Sequence, residues 1–306
     1  MTQAMPTVQA GQVTSPLLTD VTLAPAWRST LAVDLDDPFF FDHPLDHVPG
    51  MMLISALLEL VRTSTPEPSG GTRRPGLRRL ATVLWFPRFC ELDEPTELGA
   101  CPPSGAGGWA VQASQSRGPV CLGSVAIDET GPQLPSGPSW DRRSNGGPEA
   151  PELSPEAADA SFVHRARPEN ILVSRISPQD GGARRVAVLG SSDEAHFTRR
   201  TGAMRSPEEL LEAARQVATM VWPCEYGWPA DVLLTLNRVQ AELPVALDRS
   251  RSLELRWRPS QPRGTKARIR LELVDATAEP QRVGLVTIES QAWTREEWQR
   301  LRAGQR

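Results

Sequence analysis

The 306-residue sequence contains one tyrosine and four cysteines, and no apolar run long enough to span a bilayer. Without such a run, no membrane-spanning role is expected. The cysteines, Cys90, Cys101, Cys121 and Cys224, match neither a zinc site nor a redox CxxC pair. They read as reduced, mostly structural thiols of a cytosolic protein, and no metal site is expected. Neither sign of charge dominates. The formal net charge is -4, so nothing marks the chain as a nucleic-acid binder. The densest basic group, Arg73, Arg74, Arg78 and Arg79, reads as a solvated loop edge. The opening stretch MTQAMPTVQAGQV lacks the basic start and apolar centre of a secretory signal, so a cytoplasmic location is expected.

What is present is an ordinary globular balance, with 39% hydrophobic and 23% charged residues. The length suits two medium domains. Richness in Pro, Arg and Ala is compatible with a high-GC genome. Residues 129–157, ETGPQLPSGPSWDRRSNGGPEAPELSPEA, are dense in Pro, Gly and Ser and lack apolar periodicity. They read as a linker between domains at 1–128 and 158–306.

Both halves show the same order of elements. In the first, 20–23 and 29–35 read as strands. The polar turn FFFDHPLDHVPG follows, and then Met51 to Val61. Nine of those eleven residues are apolar, so a helix there is buried on nearly all sides. Strands are expected at 81–86, 110–113 and 120–127. In the second half, 170–176 and 185–189 read as strands. The run SPEELLEAARQVATMVW reads as a helix with Ser206 as N-cap, Pro207 first and Glu209 as capping-box partner. Further strands are expected at 232–239, 253–257, 267–274 and 283–290. Strand, helix and several long strands, twice over, suggest an α+β double hotdog. In that plan each curved sheet wraps a helix, and the two domains pair internally as a pseudo-dimer with sites at their interface. Pairing also hides sheet edges. A pair of unrelated α+β domains has the same element order.

The segment Phe41-Asp42-His43-Pro44-Leu45-Asp46-His47-Val48-Pro49-Gly50-Met51 resembles the A-factor biosynthesis hotdog family (AfsA-type butyrolactone synthases). More distantly it is similar to the His…Pro-Gly turn of hotdog acyl-carrier-protein dehydratases. Phe86 to Pro95, Val163-His164-Arg165 and Leu210 to Gln216 are similar to further family motifs. Against the family pattern the repeats look swapped, with the His-Pro repeat first. Ser55 and Leu58 stand where the family's helix has glutamate and arginine; Glu212 and Arg215 keep that pair in the second helix.

The resemblance implies a composite site with His43 and Glu212 as catalytic residues. Glu212 would be a general base whose pKa is raised at a domain interface and which is not tightly paired with Arg215. Arg215 and Gln216 would bind substrate, and amides near Gly50 would hold the thioester oxygen. A reciprocal site at His196 and Ser55 would lack its carboxylate and be degenerate. Asp46 and His47 read as turn formers and His164 as structural. The implied reaction passes a β-ketoacyl group from an acyl carrier protein or CoA thioester to a small phosphorylated acceptor, dihydroxyacetone phosphate, towards a butenolide and a gamma-butyrolactone. No cofactor is called for beyond the carrier's pantetheine. The alternatives are a hotdog dehydratase or thioesterase-like enzyme of a natural-product pathway, and a non-catalytic acyl-binding protein.

Overall fold

The computed structural model describes residues 17–24, 26–65, 78–102, 108–128, 153–178, 182–191, 196–277 and 279–305. Most of the expected linker, 129–152, and Arg73 and Arg74 lie outside them.

The first half contains strands β1 (Leu18–Ala24) and β2 (Ala26–Leu31), helix α1 (Gly50–Ser64), and strands β3 (Arg79–Trp85), β4 (Glu97–Cys101), β5 (Trp109–Gln115) and β6 (Gly118–Asp128). The second contains short strands β7 (Ser177–Pro178), β8 (Arg184–Ala187) and β9 (Met204–Arg205), then helix α2 (Pro207–Tyr226). It continues with β10 (Leu233–Pro244), β11 (Leu247–Asp248), β12 (Leu253–Trp257), β13 (Lys266–Asp275), β14 (Gln281–Trp293) and helix α3 (Arg295–Gln305). No helix among the described residues is long and apolar enough to cross a membrane.

One 12-stranded sheet runs β1-β2-β4-β5-β6-β3-β10-β14-β13-β12-β8-β7. The halves join where β3 pairs antiparallel with β10, from Trp85 opposite Arg238 to Arg79 opposite Pro244. Each half therefore covers the other's inner edge strand. On its far side β3 pairs with β6, where Gly123 is required: a Cβ there would lie 1.9 Å from the Val83 carbonyl oxygen. The fold is a double hotdog, each half wrapping one helix.

Helix α1 is buried along almost its whole circumference, as its run of apolar residues demands. Its N-cap is Pro49, no side chain caps it, and no acidic residue sits in its first turn. Its first amide N–H groups are thus left for other partners. Helix α2 begins as expected: the Ser206 hydroxyl accepts from the Glu209 amide, Pro207 follows, and Gly227 closes the far end at φ 72°. The capping box is only half formed. The Glu209 carboxylate accepts from Arg205 and Arg249 instead.

The expected strand at 170–176 is not one. It is an irregular segment with isolated bridges at Val173 and Ser174. Its backbone is satisfied by a side chain from α2: Gln216 accepts from the Leu172 amide and donates to the Asn170 carbonyl. The strand expected to reach Leu35 stops at Leu31. Strand β4 and helix α3 were not anticipated.

Candidate active site

The turn between β2 and α1 delivers two consecutive Asp–His pairs to one cavity. At the first, His43 Nδ1 lies 2.6 Å from Asp42 Oδ1. The Asp42 side chain is fully buried while that of His43 is 36% exposed. Second-half groups hold Asp42: the Ala166 amide and the Asn170 side chain donate to its other oxygen, and Arg165 lies 3.5 Å away. Burial pushes the Asp42 carboxyl up, but the His43 hydrogen bond, the Arg165 charge and Asn170 outweigh it and hold the pKa at about 2. A carboxylate on Nδ1 fixes the imidazole so that its Nε2 is the free acceptor.

At the second pair, His47 Nδ1 lies 2.7 Å from Asp46 Oδ1. Arg302 of α3 donates to the Asp46 carboxylate and carbonyl and to both oxygens of Glu91. The His47 ring packs against Phe89 and Trp298.

His43, Asp46 and His47 line a cavity of about 740 Å³ between the two halves, with Asp42 buried behind His43. Its walls come from the β2–α1 turn, the start of α1, the segment after β3, α2, β10, β14 and α3. Pro49, Gly50 and Met51 place the uncapped N-terminus of α1 in the lining. Gly50 packs closely there: a Cβ would lie 3.1 Å from Leu236 Cδ2. His164, Arg165 and Arg215 line the same space.

Glu212 does not line it. Its side chain is fully buried behind the arginines and accepts from Arg165 Nε and Nη2, Arg215 Nε and Nη2, and Gln216 Nε2. Burial pushes the carboxyl up, yet the Arg165 and Arg215 charges with their hydrogen bonds hold its pKa at about 2. The expectation of a loosely paired base with a raised pKa is therefore corrected. Five donors occupy this carboxylate, so it anchors the two guanidinium groups. Gln216 is corrected likewise: both ends of its amide are bonded within the protein, and it is absent from the lining.

His196 is not in a mirror-image site. Its Nε2 lies 2.7 Å from Asn170 Oδ1 and its Nδ1 2.8 Å from the Thr198 hydroxyl, so it buttresses the Asp42 cluster. Ser55 is buried with no hydrogen-bond partner for its hydroxyl. His164 adopts a left-handed backbone at φ 51°. Its Nε2 lies 3.3 Å from the Ala230 carbonyl. Burial and then the Arg215 charge push its pKa down to about 4. Sequence reasoning missed Asp42, Arg165 and Asn170. The repeated Asp-His dipeptide was a visible signal for the first; the other two act across the fold.

The chain matches the A-factor biosynthesis hotdog domain over residues 10–100 and 148–279, one stretch in each half and well over half of the length. It belongs to that family. A curated relative, the 2-oxo-3-(phosphooxy)propyl 3-oxoalkanoate synthase of Streptomyces virginiae, is 37% identical over 89 residues. That alignment spans 28% of this chain and 28% of the relative. Among solved structures, the dehydratase domain of the polyketide PpsC from Mycobacterium tuberculosis superposes with a TM-score of 0.59 at 14% identity, covering 92% of this chain and 99% of that one. The dehydratase domain from the CurJ module of curacin polyketide synthase gives 0.58 at 11%, with the same coverage. This A-factor-type chain thus shares the double-hotdog architecture of those dehydratase domains.

Proposed function

We propose that the chain is a cytoplasmic acyltransferase. It passes a β-ketoacyl group from an acyl carrier protein or CoA thioester to the hydroxyl of dihydroxyacetone phosphate, giving the ester from which a butenolide forms. The observation that carries this reading is His43, held by the buried Asp42 and open to the interface cavity beside the uncapped start of α1. The product in the relative's name, a 2-oxo-3-(phosphooxy)propyl 3-oxoalkanoate, is an ester of this kind.

His43 Nε2 takes the proton of the acceptor hydroxyl as its oxygen attacks the thioester carbonyl. The oxyanion sits at the Gly50 and Met51 amides, where the helix dipole favours negative charge. Collapse of the tetrahedral species breaks the carbon–sulfur bond, and the leaving thiolate receives the proton back from His43. Arg215, anchored by Glu212 yet 22% exposed, offers the remaining N–H of its Nη1 to the acceptor phosphate. The hydrogen bonds that occupy Glu212 favour this reading over a dehydratase, in which an α2 carboxyl would act on a β-hydroxyl.

The test is mass spectrometry of products from a 3-oxoacyl thioester, with and without dihydroxyacetone phosphate. The phosphorylated ester should form only with both substrates. His43→Ala should slow it by about 10²–10⁴-fold. Free acid forming equally without the acceptor would mean a thioesterase, and loss of water from a 3-hydroxyacyl thioester offered in a parallel reaction would mean a dehydratase.

A further inference from the structure

The cavity has two ends of different character. Its mouth carries Arg88, Asp46 and Trp298. Its inner end lies between the helices and β14, where Leu53, Ala218 and Ile288 are each 2% exposed. On α2, Arg215, Ala218, Thr219 and Trp222 follow at helical spacing along one face. The wall therefore passes from a guanidinium, through the small side chain of Ala218, towards Trp222. Trp222 is fully buried, and its indole N–H donates to the Ser290 hydroxyl at 3.0 Å, which fixes the ring. Ser290 itself lines the cavity. The lining that α2 supplies thus runs from a guanidinium to the small Ala218 and Thr219 and stops there, with the fixed, bulky ring of Trp222 one turn on, behind the wall.

We propose that Ala218 determines the acyl chain length this site accepts, with Trp222, held by Ser290, as the stop behind it. The proposal rests on the acyl-thioester reading of the cavity. An acyl tail is driven out of water into the deep apolar end, while its thioester stays at His43 and the start of α1. The methyl group of Ala218 is the smallest side chain among the residues α2 gives to the lining. Enlarging it removes tail space without touching the reacting atoms.

The probe is a ladder of straight-chain 3-oxoacyl N-acetylcysteamine thioesters differing by two carbons, competed with one another on the full chain with dihydroxyacetone phosphate. Ala218→Leu should shorten the preferred chain by about two to four carbons. It should lower kcat/KM for the longest chain accepted by the parent protein about tenfold or more, and leave the shortest unchanged. Ala218→Gly should move the preference the other way, which keeps the test decisive if the leucine variant does not fold. An unmoved optimum in the folded variants, or equal loss at every length, overturns the proposal. If no ester forms at any length, the transfer reading has failed. The same ladder is then titrated calorimetrically as non-transferable ketone analogues. Length-dependent affinity that shifts with residue 218 upholds the ruler, and affinity that is length-independent or undetectable overturns it.

Discussion

Glu212 and Arg215 stand three residues apart, a spacing that suits either a solvated helix pair or a poised acid–base site. Arg165, 47 residues earlier in the chain, decides between them, because its guanidinium and that of Arg215 share one buried carboxylate. Glu212→Gln should therefore destabilise the fold as well as slow turnover. It leaves Arg215 without its paired counter-charge and Arg165 with Asp42 alone, a loss of about 3–5 kcal/mol when a buried pair is broken. A thermal melt separates this from a base role, which would leave the melting temperature unmoved. The acid side follows from the same contacts. The folded pKa of Glu212, about 2, lies below its ordinary 4.5, so its stabilisation is complete above 4.5 and is lost as pH falls towards 2. His164 adds a second step. Its folded pKa, about 4, is below 6.5, so the unfolded chain gains a proton first and stability falls as pH drops from 6.5 to 4. His164→Asn tolerates the left-handed backbone and should flatten that step in urea unfolding compared at about pH 7 and about pH 5. His164 was visible in the sequence, but the burial and the Arg215 charge that hold it neutral come from distant segments, which no local pattern encodes.

At the scale of elements, both central helices were legible, because α1 is a dense apolar run and α2 carries its start and stop signals. The irregular segment at 170–176 misled because Leu172, Val173 and Ile176 look like a strand, while the groups that bond its backbone sit on α2. Helix α3 was overlooked for its polarity, although Thr294 and Glu297 form a reciprocal capping box that the sequence displays. That helix ties the end of the second half to the histidine turn of the first. Arg302 spans Asp46 and Glu91, and Trp298 covers His47 and Phe89. Arg302→Ala should cost about 2 kcal/mol of unfolding free energy, the scale for charged hydrogen bonds. It should also raise KM more than it lowers kcat, since His43 and Asp42 keep their own contacts. Urea titration with steady-state kinetics checks both.

The whole molecule holds together as one body because its histidine turn and the groups that shape it belong to different halves. Asp42 comes from the first half, and Arg165, Ala166 and Asn170, which hold it, come from the second. The β3–β10 ladder and the contact of Arg62 on α1 with Glu208 on α2 supply the joint. Residues 1–128 and 153–306, produced as separate chains in one cell, should therefore co-purify as a one-to-one complex and regain ester synthesis. Each half alone exposes an unpaired inner strand and one wall of the cavity, so it should aggregate or self-associate. Size-exclusion chromatography with light scattering distinguishes these results. Two independent, soluble monomers would mean that the joint contributes little to either fold. Activity in one half alone would mean that the reaction needs no composite cavity. Complementation by a second half bearing Arg165→Ala adds a sharper control. The complex should still assemble through the sheet, while turnover falls because Asp42 and Glu212 lose a shared partner. A joint that forms without a working turn would show that pairing the sheets and organising the histidine are separable tasks of the same interface.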